Sequence, residues 1–277
     1  MTDLRRLARW LDAELLRAWP LTGGVSAQVT ALEVRQGGQI RRLVVRAYGE
    51  RDLKRRPDLA ALEDALLGQL NAAGVPVPRP VFQTSGVLVT TFVEGVGGVE
   101  APADPLALAD VLAQIHAVPV AGLALAPLPA PGPPSASPDE SLSESRIRAA
   151  LAGWPPAPAA SVLLHGDFWP GNTLWHGGRL AAVIDWEDAA LDDPLADVGN
   201  ARLELLWAQG EAAMQAFTRR YARQTDQDLR HLPYWDLRAA LRPCGRLHTW
   251  GLDPATLAQM RARHTTFVRQ ALAESGA

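Results

Sequence analysis

The sequence predicts an α+β fold, with a small sheet in the N-terminal half and helices through most of the remainder. Three observations carry this. Apolar–polar alternation marks QVTALEV (28–34), IRRLVVR (40–46) and GVLVTTFV (86–93) as strands. From about residue 195 onward apolar side chains recur at helical spacing, at Leu203, Leu206 and Trp207, at Phe217 and Tyr221, and at Leu257, Met260, Phe267 and Val268. Between the two halves lies the most polar stretch of strands and loops. The 277 residues are 48% hydrophobic and 21% charged, enough for a real core in one large domain or two small ones.

Taken in order, residues 4–18 read as an amphipathic helix with Leu4, Leu7, Leu11 and Leu15 on one stripe, stopped by Pro20. LTGGVSAQ is a glycine-containing turn, and Gln36-Gly37-Gly38-Gln39 closes a hairpin between the first two strands. After the polar stretch GERDLKRRPD, Leu59, Leu62, Leu66 and Leu70 predict a helix over 59–73, ended by Asn71 and Gly74 and barred from continuing by Pro76 and Pro78. A helix over 104–117 carries Leu108, Leu112 and Ile115 on one face. Residues 118–158 are rich in Pro and Ala and read as a long, flexible inserted loop with a short helix near 141–152. Short strands follow at SVLLH (161–165), TLWH (173–176) and LAAVID (180–185).

Charge and composition exclude several classes. Net charge is −3, with no basic excess that would point to nucleic acid or an anionic membrane as partner. No stretch of about 18 apolar residues occurs, and the N-terminal segment lacks the apolar run of a secretory signal. Cys244 is the only cysteine, so no internal disulfide is possible, which fits a cytoplasmic location. His116, His176, His231, His248 and His264 lack metal-ligand spacing, so zinc is not expected. Of 27 basic residues only Lys54 is a lysine, so any chemistry that requires lysine must use that one.

The chemistry concentrates between Ser161 and Asp197, where seven acids face one base, Arg179. Asp167 follows a strand and a His-Gly turn, with Asn172 five residues on, and Asp185 ends the apolar strand LAAVI. Each alone is an ordinary turn residue. Together they are oxygen ligands suited to a hard cation such as Mg²⁺, which protein carboxylates commonly hold against substrate phosphates.

HGDFWPGNTLW followed by VIDWEDAALDDPLADV resembles the signature of the aminoglycoside phosphotransferase and choline kinase family, small-molecule kinases with a protein-kinase-like fold. LTGGVSAQ, LVVRAYG, AALEDALLGQLNAAGVPVPRPV, TFVEGV and LADVLAQIHAVP match further parts of that pattern in order. The resemblance implies a nucleotide-binding lobe at 1–93 and a helical lobe at 94–277 that holds the catalytic loop and acceptor site. It implies ATP and Mg²⁺ as cofactors and a hydroxyl of a small molecule as acceptor. Asp167 is then the catalytic base, and Asn172 and Asp185 are the metal ligands. Gly23, Gly24 and Ser26 form the loop over the phosphates, or else a plain turn. Arg46 replaces the usual phosphate-binding lysine, with Glu63 as its partner. Thr91, Phe92, Val93 and Glu94 form the hinge that meets the adenine, or else an edge strand. Asp197 is structural, His165 bonds backbone in the loop, and Asp193 is either a turn residue or an acceptor contact. Trp175 and Trp186 are core or cleft wall, and Trp169 faces the acceptor side.

Arg46 also keeps a second reading open, a non-catalytic nucleotide-binding or regulatory member of the fold. A protein kinase is disfavoured by Gly-Asp in place of Arg-Asp after His165 and by the lack of an activation segment. From Val198 to Ala277 eleven arginines face seven acids, a poor match to polycationic aminoglycosides.

Overall fold

A computed structural model describes residues 3–21, 27–99, 103–134, 136–154 and 161–274. The chain divides into two compact units. The first is Met1–Gly95 with Ala121–Ala124 and Ala181–Glu187, and the second is Val96–Val120, Leu125–Leu180 and Asp188–Ala277.

The first unit opens with α1 (Leu4–Trp10), capped by the Asp3 carboxylate, which accepts from Arg5 N and Arg6 N at 3.1 and 3.0 Å. The helix expected over 4–18 stops there. Asp12 takes a left-handed conformation with φ 50°, and β1 (Glu14–Pro20) pairs with β2 (Ala27–Gln36). The leucine stripe continues past Trp10, but backbone pairing to a sheet edge outweighs a weak helical preference. Then come β3 (Gln39–Tyr48), α2 (Glu50–Arg55), α3 (Leu59–Ala72), β4 (Pro80–Thr84) and β5 (Val87–Thr91). The strands form an antiparallel sheet in the order β1-β2-β3-β5-β4. Leu43 and Val45 of β3 enter a core with Leu7, Leu11, Leu32, Val34 and Val89. Alternation then sends Val44 and Arg46 to the opposite face. Val183 N donates to Pro76 O at 2.8 Å, tying the 181–187 segment to this unit.

The second unit begins with β6 (Val96–Gly97) and α4 (Pro105–His116), whose Asp104 cap accepts from Leu106 N at 2.9 Å. A 3₁₀ turn at Glu140–Leu142 leads into α5 (Glu144–Gly153). The remaining elements are β7 (Val162–Leu164), a 3₁₀ turn at Pro170–Asn172, β8 (Thr173–His176), β9 (Arg179–Val183), β10 (Ala190–Asp192), α6 (Leu195–Gln209), α7 (Glu211–Thr225), α8 (Leu232–Leu241) and α9 (Pro254–Glu274). Along β9 the chain passes from the second unit into the first. The Pro-rich stretch, expected as a free insertion, is anchored. Pro127 bridges Leu191, Arg238 Nη2 donates to Pro129 O, and Arg148 Nη1 donates to Gly132 O, the last two at 2.8 Å. A proline-rich stretch cannot build a ladder, but its backbone carbonyls still accept, and these arginines use two of them, at Pro129 and Gly132.

Arg202 joins three helices. Its Nε and Nη2 fork onto the Asp236 carboxylate of α8 at 2.9 and 3.0 Å, and its Nη1 donates to Thr218 Oγ1 of α7 at 2.6 Å. At the α6–α8 crossing, a Cβ on Gly199 would stand 2.7 Å from Trp235 O. Alanine is the better helix former by about 1 kcal/mol, so the sign of its effect reports the packing. Gly199→Ala should lower stability by about 1–3 kcal/mol, seen as a lower urea midpoint at unchanged m-value. A raised midpoint would mean that the helices do not approach this closely.

Candidate active site

In the first unit Arg46, only 13% exposed, is surrounded by carboxylates. Its Nη2 lies 2.7 Å from Asp185 Oδ1 and 3.4 Å from Glu187 Oε2, and its Nη1 lies 3.4 Å from Glu63 Oε1. Burial works to lower the Arg46 guanidinium, but the charges of Glu63 and Asp185 outweigh it and hold it above the ordinary arginine value. Tyr48 shares the Arg46 face of β3, two residues on, and its hydroxyl donates to Glu63 Oε2. Burial, with the charge of Glu63 second, pushes that hydroxyl well above its ordinary range, so it stays a donor. Arg46 Nε is buried and takes no acceptor among the described residues. A fixed guanidinium with an unfilled buried donor suits phosphate oxygens. Asp185 itself sits just beyond β9 with φ 69°, a strained left-handed conformation for a residue with a side chain.

The expected hinge follows β5. Thr91 N donates to Arg79 O at 2.8 Å and Phe92 N to Arg42 O at 3.1 Å. Arg42 lies over the Phe92 ring, 5.3 Å from its centroid, and pairs with Glu94. Among the described residues the N–H groups of Val93 and Glu94 have no backbone partner. Gly23, Gly24 and Ser26 lie outside the described residues.

In the second unit the loop after β7 is fixed from below. Asp197, in the first turn of α6, accepts from His165 N at 2.6 Å and from Gly166 N at 2.9 Å. Gly166 has φ 82°, and a Cβ there would stand 2.0 Å from Asp188 O, so no other residue fits. Asp167 N donates to His165 Nδ1 at 3.3 Å, and Asn200 Nδ2 donates to Phe168 O at 3.1 Å. Asn172 turns its Nδ2 to Asp167, donating to the carbonyl at 2.9 Å and to Oδ2 at 3.2 Å. Its amide oxygen, the atom a hard cation takes, stands outside those bonds. Asp193 is a turn residue that accepts from Leu195 N at 2.9 Å and from Trp235 Nε1 at 3.1 Å. Trp175 and Trp186 are buried, and the partly buried Trp169 folds its ring over Gly171.

Two residues near Asp167 carry no local sequence signal. Arg242, at the C-terminal end of α8, donates from Nη2 to Asp167 Oδ1 at 2.6 Å and from Nη1 to Gly166 O at 2.9 Å. Glu204, on α6, is raised from its ordinary 4.5 to about 8 by burial, then by the charge of Asp167, with Arg242 opposing.

The donors at Asn172 and Asp185 are amide and carboxylate oxygens, which fit a magnesium ion and not a zinc ion. Asn172 lies in the second unit and Asp185 in the first. Among the described residues no three His, Cys, Asp or Glu side chains converge as a metal cage, and no helix is long and apolar enough to cross a membrane.

Comparison with known proteins gives the setting for these residues. A protein of Gallus gallus, acyl-CoA dehydrogenase family member 11, is 32% identical over 172 residues, covering 50% of this chain and 22% of that protein. Hygromycin-B 4-O-kinase of Escherichia coli is 36% identical over 67 residues, 24% of this chain and 19% of that protein. The chain thus spans about a fifth of the length of these curated relatives. Among solved structures, a thermostable mutant of aminoglycoside phosphotransferase APH(4)-Ia in ternary complex with ADP and hygromycin B superposes with a TM-score of 0.66 at 20% identity, over 100% of this chain and 99% of that one. At that identity the likeness speaks to the fold, an α+β kinase-like architecture. Residues 17–244 match the model of the phosphotransferase enzyme family (APH), and the chain belongs to that family.

Proposed function

We propose that this protein moves the γ-phosphoryl group of ATP to a hydroxyl of a small molecule, with Asp167 as the base. The observation that supports this most is the loop geometry. Asp167 and Asn172 are held side by side, on a loop pinned by Asp197 through two backbone N–H bonds. Phosphoryl transfer asks little covalent work of a protein and much positioning, which such a loop supplies. Asp167 takes the hydroxyl proton, and the hydroxyl oxygen's electron pair forms the new bond to phosphorus. The bond from that phosphorus to the β–γ bridging oxygen breaks, its electrons leaving with ADP. Asn172 and Asp185 would hold Mg²⁺, which when bound neutralises charge on the transferring phosphate. Arg46, oriented by Glu63, binds the nucleotide phosphates, and the N–H groups of Val93 and Glu94, without a backbone partner among the described residues, meet the adenine. Gly23, Gly24 and Ser26 cover the phosphates in this reading. Similar proteins, a hygromycin-B O-kinase and a phosphotransferase crystallised with ADP, support this reading.

A second reading, a non-catalytic nucleotide-binding member, draws on one feature. Arg46 Nη2 already engages Asp185 Oδ1 at 2.7 Å, so nucleotide and metal must displace an existing ion pair.

Mutants separate the roles. Asp167→Asn should cut ADP release in the presence of acceptor by about 10²–10⁴-fold while calorimetry shows nucleotide affinity nearly unchanged. Asp185→Asn should weaken Mg²⁺–nucleotide binding as well. Equal loss of affinity in both would reverse the assignment, and a parent chain that binds nucleotide without turnover would establish the non-catalytic reading.

Arg46→Met should lower kcat/KM by about ten- to a hundredfold, with Arg46→Lys recovering part. Lys54→Met, on the exposed face of α2, should change little. The opposite pattern would move the phosphate role to the lysine.

Glu204 gives a stability signature. The folded chain keeps its proton up to about pH 8, whereas an unfolded glutamate releases it near 4.5. This carboxyl's contribution to stability is therefore intact below pH 4.5 and is lost as pH rises toward 8 and above. Glu204→Gln should melt higher than the parent at pH 8 by about 2 °C or more, with the gap closing toward pH 5. A gap that is constant with pH would show that Glu204 ionises normally.

A further inference from the structure

We infer that Arg242 selects the acceptor, and that the acceptor is an alcohol carrying a carboxylate or phosphate group beside its reacting hydroxyl. This rests on the phosphotransfer reading with Asp167 as base, and it adds a substrate class to it.

The position of the guanidinium carries the inference. Arg242 closes α8, and it reaches the loop with two of its five N–H donors, one to Gly166 O at 2.9 Å and one to Asp167 Oδ1 at 2.6 Å. The other donors take no acceptor among the described residues, and the side chain is 43% exposed. An ion pair this exposed contributes little to stability, so holding the fold together is a poor explanation for it. An open guanidinium edge, oriented from behind by a backbone carbonyl, is the shape that binds a carboxylate or phosphate through paired hydrogen bonds.

Chemistry at Asp167 points the same way. Its Oδ2 accepts from Asn172 Nδ2 at 3.2 Å and its Oδ1 from Arg242. A cationic acceptor would have to bring its ammonium against a guanidinium to reach this carboxylate. An anionic acceptor instead pairs with that guanidinium, draws it from Oδ1, and leaves that oxygen open to the acceptor's own hydroxyl proton. The base is then released by the compound that needs it.

Acids of the surrounding elements already have partners: Asp139 accepts from Gly245 N at 3.1 Å and from Ser141 Oγ, and Glu144 pairs with Arg148 at 2.8 Å. Asp236 is engaged by Arg202 at 2.9 Å and Asp228 by Arg230 at 2.6 Å, and Asp253 caps α9. Glu204 bears electrostatically on both Asp167 and Arg242, but burial keeps it largely protonated at neutral pH. Arg238 precedes Arg242 by one turn and Arg246 follows by one, the latter exposed.

Four alcohols on the same three-carbon backbone test the idea: glycerate, glycerol 3-phosphate, glycerol and 3-amino-1,2-propanediol. Phosphorylation is followed by ADP release, with hydrolysis of ATP by water measured alongside. The parent chain should use glycerate or glycerol 3-phosphate with a kcat/KM about tenfold or more above the neutral and cationic analogues, the worth of one charge-assisted hydrogen bond. The two anions tell carboxylate from phosphate. In Arg242→Gln the ratio of anionic to neutral acceptor should fall to near one, and in Arg242→Lys it should be partly kept. Because each ratio is internal to one variant, a loss of folded protein does not imitate the effect. Equal use of glycerol or the amine by the parent, a ratio unchanged in Arg242→Gln, or ATP hydrolysis with no transfer to any of the four would overturn the inference. A parent chain that neither hydrolyses ATP nor transfers phosphate would instead overturn the phosphotransfer reading.

Discussion

Asp197 is 1% exposed, and its carboxylate takes the backbone N–H groups of His165 and Gly166 while His116 Nε2 lies 3.4 Å away. Burial alone would push this carboxyl up. The hydrogen bond and charge of His116, then the contacts from His165, outweigh it and keep the group ionised. His116 is in turn set by Tyr221, its Nδ1 2.6 Å from the phenol oxygen. Helices α4, α6 and α7 and the loop after β7 therefore meet at one buried negative charge. Leaving such a charge short of a partner costs about 3–5 kcal/mol, so the loop that carries Asp167 moves only if the helical core moves with it.

The first unit solves the inverse problem. There a buried cation, Arg46, is balanced by Glu63, Asp185 and Glu187. A lysine offers one point of charge and would face several carboxylates with a single ammonium. The planar fork addresses Glu63 with one nitrogen and the two carboxylates of the 181–187 segment with the other. Tyr48 completes the arrangement by donating to the second oxygen of Glu63.

The sequence was legible where chemistry or periodicity is local. Asp197 accepts backbone N–H groups of the loop after β7, as its structural reading required, and the alternation in β3 separates Val45 from Arg46. It failed at Glu14–Pro20, where an edge strand of mixed exposure imitates the tail of a leucine-striped helix. It passed over β4, which opens on Pro80 straight after a proline-broken helix end, and β10, which runs directly into the Asp-Pro turn at 193–194. It took the Pro-rich stretch as free because its anchors are distant in sequence: Arg148 donates to Gly132 O sixteen residues back, and Arg238 to Pro129 O from α8. Arg242 was invisible for the same reason. It meets Asp167 across 75 residues of chain, and no spacing rule reaches that far.

The ion pairs fall into two physical kinds, and the division bears on function. Those at Asp197 and between Arg202 and Asp236 are shut away from water, where attraction is strong and separation is costly. They make a frame with one arrangement. The pair between Arg242 and Asp167 stands at 43% and 35% exposure, where water and salt screen it. Such a pair can be formed, broken and exchanged for another partner at little cost. In the proposed reaction, a base that must release one hydrogen bond before it can accept a proton needs a partner of this weaker kind. A loop that must keep that base in line needs partners of the stronger kind. Asp167 has both, a screened contact at its carboxylate and a buried anchor two residues before it, so the carboxylate can change partners while its backbone stays fixed.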